Sequence, residues 1–439
     1  MDQSLSAHGL GGAKDLPIPA EFAILGAVAA LLVSFTVLAM AWRSPRFESD
    51  EHTHPLPALQ RVVDAPATRV ALRVIGLLAF VYLLIPLVFG QDLDSNPVFG
   101  MLFVLVWVGI VPLSLLLGPV WRAISPFRSI NWALSTLLRI DPDRGLYDYP
   151  ARLGTWPAAV GLYAFVWFEL VLPNSNQLGP FRLWITVYCA VMVIGALLYG
   201  NRFLGRADPF EVYSSLLAKL SLWGRSRGRL VLVSPLRNLA TLTPGPGLVA
   251  VVAVLLGSTA YDSFRESPQF VQFVQGSTTS PTLLTNAALL GFCLLAGLIL
   301  AAGTMATGVR PGTRRSSLPP LFAHSMMPIV VGYMVAHYFT YFVFMSQDTV
   351  IKMSDPLSRG DNWFGTSDWA INWSLGYQAT FVAVLKVAAV VTGHVLGAVS
   401  SHDRALTVLP ARHHVSGQLS LLVAMVVFTA GGLFLLFAS

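Results

Sequence analysis

The sequence predicts an all-α polytopic transmembrane bundle of about ten spans, and three observations carry that reading. Of 439 residues, 55% are hydrophobic and only 11% are charged, where a soluble domain carries about 25%. Mean hydropathy is +0.65. Apolar runs of the length needed to cross a bilayer, about 20 residues, recur from one end of the chain to the other. The formal net charge of +6 does not point to nucleic acid, because the cations are scattered through the loops between apolar runs and there report topology.

Residues 1–21 read as an extracytoplasmic segment. It is polar, holds Gly11, Gly12, Pro17 and Pro19, and lacks the apolar core of a cleavable signal. A single transmembrane domain follows over 22–438, with spans at 22–42, 70–90, 98–118, 156–173, 181–200, 247–264, 282–308, 320–345, 376–401 and 419–438. Placing both termini outside puts 22 Lys and Arg in inner loops and five in outer ones, with Lys386 left inside a span. That asymmetry is the positive-inside signature. Cys189 and Cys293 both lie in apolar runs, so no disulfide framework is expected.

The stretches 70–140 and 156–223 read as a duplication. Gly76-Leu-Leu-Ala-Phe-Val-Tyr82 matches Gly161-Leu-Tyr-Ala-Phe-Val-Trp167, and Ser125-Pro126-Phe127 matches Asp208-Pro209-Phe210. Ser or Asp before Pro opens a helix well, because the side chain caps free amides and proline fits the first turn. Each copy therefore reads as two spans followed by an amphipathic helix on the cytoplasmic membrane surface.

Ionisable residues inside apolar runs are costly and normally face the bundle interior. Glu169, His337 and Lys386 fall in the outer half of their spans, where Glu169 and Lys386 are expected to meet as an ion pair; His324 and His394 fall in the inner half, and His402 lies just past a span end. Tyr333 and Tyr341 flank His337 at four-residue spacing and so share its helix face. That stripe reads as a pathway or pocket wall with a titratable imidazole, or as a buried histidine satisfied by a hydroxyl. Asp262, with Ser258 and Thr259, either lines the outer mouth or caps a helix end. Gly393, Gly397 and Ser401 recur every four residues, a pattern that lets another helix approach closely.

The spans over 247–438 carry these histidines, which raises copper, zinc or one haem b as cofactors. His324 and His394 lie at matching depth for a single haem, with His402 as a further ligand candidate. Met326, Met327 and Met334 suit Cu(I), although methionine is also a common core filler. His52 and His54 form a second, weaker metal candidate, and His413-His414 reads as a basic loop. The sequence holds no Walker loop, HExxH or CxxC.

Ala7-His-Gly-Leu-Gly-Gly12, Asp208-Pro-Phe-Glu-Val-Tyr-Ser-Ser215, Leu255-Leu-Gly-Ser-Thr-Ala-Tyr-Asp262 and His402-Asp-Arg-Ala-Leu406 resemble the bacterial multi-pass membrane proteins commonly labelled fenitrothion hydrolase. The resemblance implies a bacterial inner membrane and organophosphate hydrolysis, a chemistry that normally uses clustered His and carboxylate ligands. It brings no catalytic residue with it. The residues themselves favour a channel- or transporter-like protein moving a small solute or ion, possible proton coupling included. A membrane-bound metal-dependent hydrolase or redox enzyme is the alternative, and a subunit of a larger membrane complex is the third reading.

Overall fold

The computed structural model describes residues 11–47, 53–310, 312–410, 413–414 and 416–438. His52, half of the weaker metal candidate, lies outside them. The helices in chain order are α1 (Ala20–Ala41), α2 (Pro57–Val63), α3 (Pro66–Phe89), α4 (Val98–Leu117), α5 (Val120–Ile124), α6 (Pro126–Leu138), α7 (Trp156–Leu170), α8 (Leu178–Tyr199), α9 (Asn201–Ala207) and α10 (Pro209–Leu217). There follow α11 (Pro235–Ala240), α12 (Leu248–Arg265), α13 (Pro268–Gly276), α14 (Pro281–Met305), α15 (Leu318–Phe322), α16 (Met327–Met353), α17 (Ala379–Val408) and α18 (Leu419–Ala438). Three short strands, β1 (His54–Pro55), β2 (Trp223–Ser226) and β3 (Arg229–Leu232), pair antiparallel in the order β1-β3-β2.

Among the described residues nine helices are long and apolar enough to cross a membrane. The chain is an integral, multi-pass, all-α protein. The fourth expected span is the exception: α7 has 15 residues, about 22 Å at 1.5 Å per residue, short of the roughly 30 Å hydrocarbon core.

The chain divides into two compact units. The first holds the chain to Glu51, Pro235–Tyr341 and Trp373–Ser439. Its core joins α1, α16, α17 and α18 through Ala27, Tyr333, Ala336, Val390 and Leu433. Helix α12 is its interior element, with 72% of its apolar window buried. At Gly257 a side chain would collide with the Cys293 backbone of α14, so only glycine permits that approach. Similarly, a Cβ on Gly393 would stand 2.5 Å from the Pro328 carbonyl, and one on Gly397 2.8 Å from that of Ser325. The four-residue stripe on α17 is thus a backbone contact surface.

The second unit holds His52–Ser234 and Phe342–Asn372. Here the sequence reading of two surface helices needs correction. Gly118 (φ 85°) ends α4 and Gly200 (φ 66°) ends α8, left-handed positions that glycine takes without strain, and the chain then folds back into the unit. The Ile124 carbonyl reaches Gly76, near the middle of α3, and Asp208 reaches Tyr188, the middle of α8. Helices α6 and α10 therefore begin level with the middle of spanning helices. Eight of the nine residues of α10 are buried. Helix α6 turns Ser129, Asn131 and Ser135 inward and exposes Trp132, Leu137 and Leu138. Amphipathic spacing reports two unlike faces but not which one is outward, and beside lipid the apolar face points out.

Candidate functional site

Helices α12 and α16 of the first unit bring four buried polar side chains into one bonded chain. Asp262, near the end of α12, sits opposite His337, with Nε2 3.0 Å from Oδ2. The Tyr338 hydroxyl donates to the same oxygen at 2.7 Å, and Arg265 pairs with Oδ1 at 2.8 Å. On the other side of the imidazole, Nδ1 lies 3.1 Å from Ser263 Oγ, which accepts from the Tyr333 hydroxyl at 3.0 Å. The Asp262 carboxylate, an acceptor only, fixes the proton of neutral His337 on Nε2 and leaves Nδ1 to accept from Ser263. A continuous relay then runs Tyr333, Ser263, His337, Asp262.

Burial makes this arrangement consequential. His337 and Tyr333 are each 5% exposed, Asp262 3% and Ser263 not at all. A carboxylate and an imidazole in such surroundings are retained only when each satisfies the other. Arg265 is the partly exposed member, its side chain 34% accessible, and links the buried carboxylate to the helix end.

Comparison with protein-family models, with curated proteins and with solved structures finds no match.

Of the residues singled out in the sequence, Asp262, His337 and Tyr333 converge in the relay, and the half-buried Tyr341 ring lies 6.3 Å from that of Tyr338. Tyr338, Ser263 and Arg265 escaped sequence reasoning. Ser263 and Tyr338 directly follow the two residues that were recognised, which is the only signal the sequence offered. Lys386 is buried on α17 of the same unit, and Asp15 of the N-terminal segment is a charge acting on it. Glu169 stands half-buried near the end of α7 in the second unit.

The histidines proposed as ligands each make other contacts. His402 uses both ring nitrogens: Nε2 is 2.9 Å from the Trp42 carbonyl and Nδ1 3.1 Å from Gln418 Oε1. Its neighbour Asp403 accepts from Trp42 Nε1 (3.1 Å), Arg46 N (2.6 Å) and Phe47 N (3.3 Å), and Arg404 donates to the Ala240 carbonyl at 2.8 Å. The His402-Asp-Arg motif is thus a clasp on the segment after α1 and on α11. His324 is held by the backbone of Leu321 and Ser400. His394 Nδ1 lies 2.9 Å from the Val390 carbonyl. Its Nε2 is buried with no hydrogen-bond partner among the described residues. Among the described residues no three His, Cys, Asp or Glu side chains gather as a metal-ligand set.

Proposed function

We propose that this membrane protein moves a small solute or ion with proton coupling, and that the Asp262–His337 pair carries the proton. The bonded pair inside two spanning helices is the observation that supports this reading. A proton arriving at His337 Nδ1 through Ser263 converts the imidazole to an imidazolium beside Asp262, and its departure restores the neutral pair. Such a switch between two charge states of one buried pair is what coupling to a proton gradient requires. The loop charges support a bacterial inner membrane orientation with both termini outside, which requires the short α7 to cross as a tenth span, and the similar element order after α3 and α7 supports a duplication of 70–140 in 156–223.

The test is reconstitution in liposomes holding a pH-sensitive dye. An imposed gradient should dissipate faster with the protein than without it, and His337→Gln and Asp262→Asn should each remove the difference. Liposomes no more permeable than empty ones would refute the reading. Orientation is read separately: with Cys189 and Cys293 replaced, Asp361→Cys should react with an impermeant maleimide in intact cells, and Arg227→Cys only after permeabilisation.

One observation favours a second reading, the hydrolase that the resemblance implies. Ser263, His337 and Asp262 stand in the order of nucleophile, base and orienting acid. Covalent labelling of Ser263 by a fluorophosphonate probe, lost in Ser263→Ala, would establish it; an unlabelled protein would dismiss it.

A further inference from the structure

The interior of the second unit holds an unbalanced charge. Three ionisable side chains meet where α6 and α10 begin: Arg128, Glu211 and Asp208. Arg128 is committed to Glu211, with Nε 2.7 Å from Oε2 and Nη2 against Oε1. Asp208 has no exposed surface, and its partners are all neutral. Tyr188 OH (2.8 Å) and Phe210 N (3.0 Å) donate to Oδ1, and Trp121 Nε1 (2.9 Å) donates to Oδ2. Among the described residues no ion pair reaches it.

The other charged and titratable groups on the packed elements do not restore the balance. Helix α10 itself adds Glu211, a second negative charge. Helix α8 contributes Tyr188 and the thiol of Cys189. Arg122 on α5 and Arg202 and Arg206 on α9 are exposed, and the acid of α7, Glu169, lies eight residues beyond Gly161, the residue that touches Pro209. Ser125 holds in the first stretch the place that Asp208 holds in the second. Its hydroxyl is buried and has no hydrogen-bond partner among the described residues.

We propose that Asp208 is a proton-binding site, where the carboxyl takes one proton from water and shares it with the Tyr188 hydroxyl. Left ionised, it places a surplus negative charge in an aromatic interior, which desolvation opposes. Three donors oppose the reverse change by stabilising the anion. A phenol both donates and accepts, so Tyr188 turns from donor to acceptor when the carboxyl is protonated, and both charge states keep a bond between them. A metal cation fits less well, because both carboxylate oxygens already receive hydrogens. The proton also has somewhere to act: the Tyr188 ring stacks on Trp184 at 5.3 Å and meets Phe127 at 5.1 Å and Phe210 at 5.7 Å, the aromatic residues of both Pro-Phe stretches.

Infrared difference spectroscopy of the purified full chain in lipid reads a protonated carboxyl directly. The expected result is a carbonyl stretching band that vanishes as pH is raised, is missing in Asp208→Asn and survives in Asp262→Asn. If Asp208→Asn fails to fold, Tyr188→Phe keeps the carboxyl, removes its acceptor and should move the band to higher frequency. No titrating band, or one indifferent to both substitutions, overturns the proposal. So does a signal that responds to added sodium at fixed pH, which would assign a metal cation instead.

Discussion

Arg128 and Glu211 are 83 residues apart, occupy the same fourth position in Ser-Pro-Phe-Arg and Asp-Pro-Phe-Glu, and bind each other through two nitrogens and two oxygens. Corresponding places in two similar stretches therefore meet face to face inside one unit. Opposite charges at the two positions make the contact attractive, where identical residues would repel.

Because both partners are largely buried, losing one should cost more than losing both. Glu211→Gln leaves a guanidinium without its countercharge, a change worth roughly 3–5 kcal/mol in buried pairs. Adding Arg128→Met should return part of that loss. Apparent melting temperatures of the two single variants and the double in detergent give the coupling; strictly additive losses would show that the contact is not energetically real.

Asp403→Ala should release the segment after α1. It removes the acceptor of three donors, and an unsatisfied buried donor costs about 1–3 kcal/mol. Trypsin cleavage at Arg43 and Arg46 in the detergent-solubilised protein is the measurement, and an unchanged digestion rate would deny the clasp.

Two glycine substitutions should diverge. Gly393→Ala forces a methyl to within 2.5 Å of the Pro328 carbonyl, and overpacking of this kind costs about 1–3 kcal/mol. Gly291→Ala on α14 meets nothing within 4 Å and should be neutral or gain up to about 1 kcal/mol through helix propensity. Equal melting temperatures for the two variants would contradict the packing described for α17.

Outside the spans, the Arg225 guanidinium beside Asp64 holds its carboxyl below the ordinary value of 3.8. A lowered folded-state value means that the pair supports the β2–β3 hairpin above the ordinary value and stops doing so as pH falls through the lowered one. The protection factors of the hairpin amides, exchange rates taken relative to the free amide at the same pH, should therefore fall in strong acid and at high salt, since the pair is exposed and screened. Asp64→Asn should exchange at the faster rate at neutral pH and show neither response.

Much of the architecture was legible because apolar run length is a one-dimensional quantity. The nine long helices fall where hydropathy places them, and Asp262 and His337 stand out because an ionisable residue in an apolar run is costly. What stayed hidden depends on rotation of one helix about its axis relative to another. Periodicity aligned Tyr333 and Tyr341 with His337, but could not show that α12 turns Asp262 and Ser263 to opposite sides of that ring. Helix α10 misled for a related reason: it was read as an amphipathic surface helix, and its Asp208 and Glu211 are instead matched inside the unit by Trp121, Tyr188 and Arg128. His402 looked like a ligand, yet its two ring nitrogens face the Trp42 carbonyl and the Gln418 side chain.

The clasp on Asp403 also sets an order of events during synthesis. Trp42 and Arg46 leave the ribosome some 360 residues before the carboxylate that holds them, a delay of roughly 20–70 s at ordinary elongation rates. Through that interval α1 is made while most of its unit does not exist, and the whole of His52–Ser234 is synthesised in between. The N-terminal helix must therefore wait in the bilayer as an unattached segment. A membrane chaperone or insertase that shields its inner end has that long to act, and a chain truncated before α17 never completes the latch.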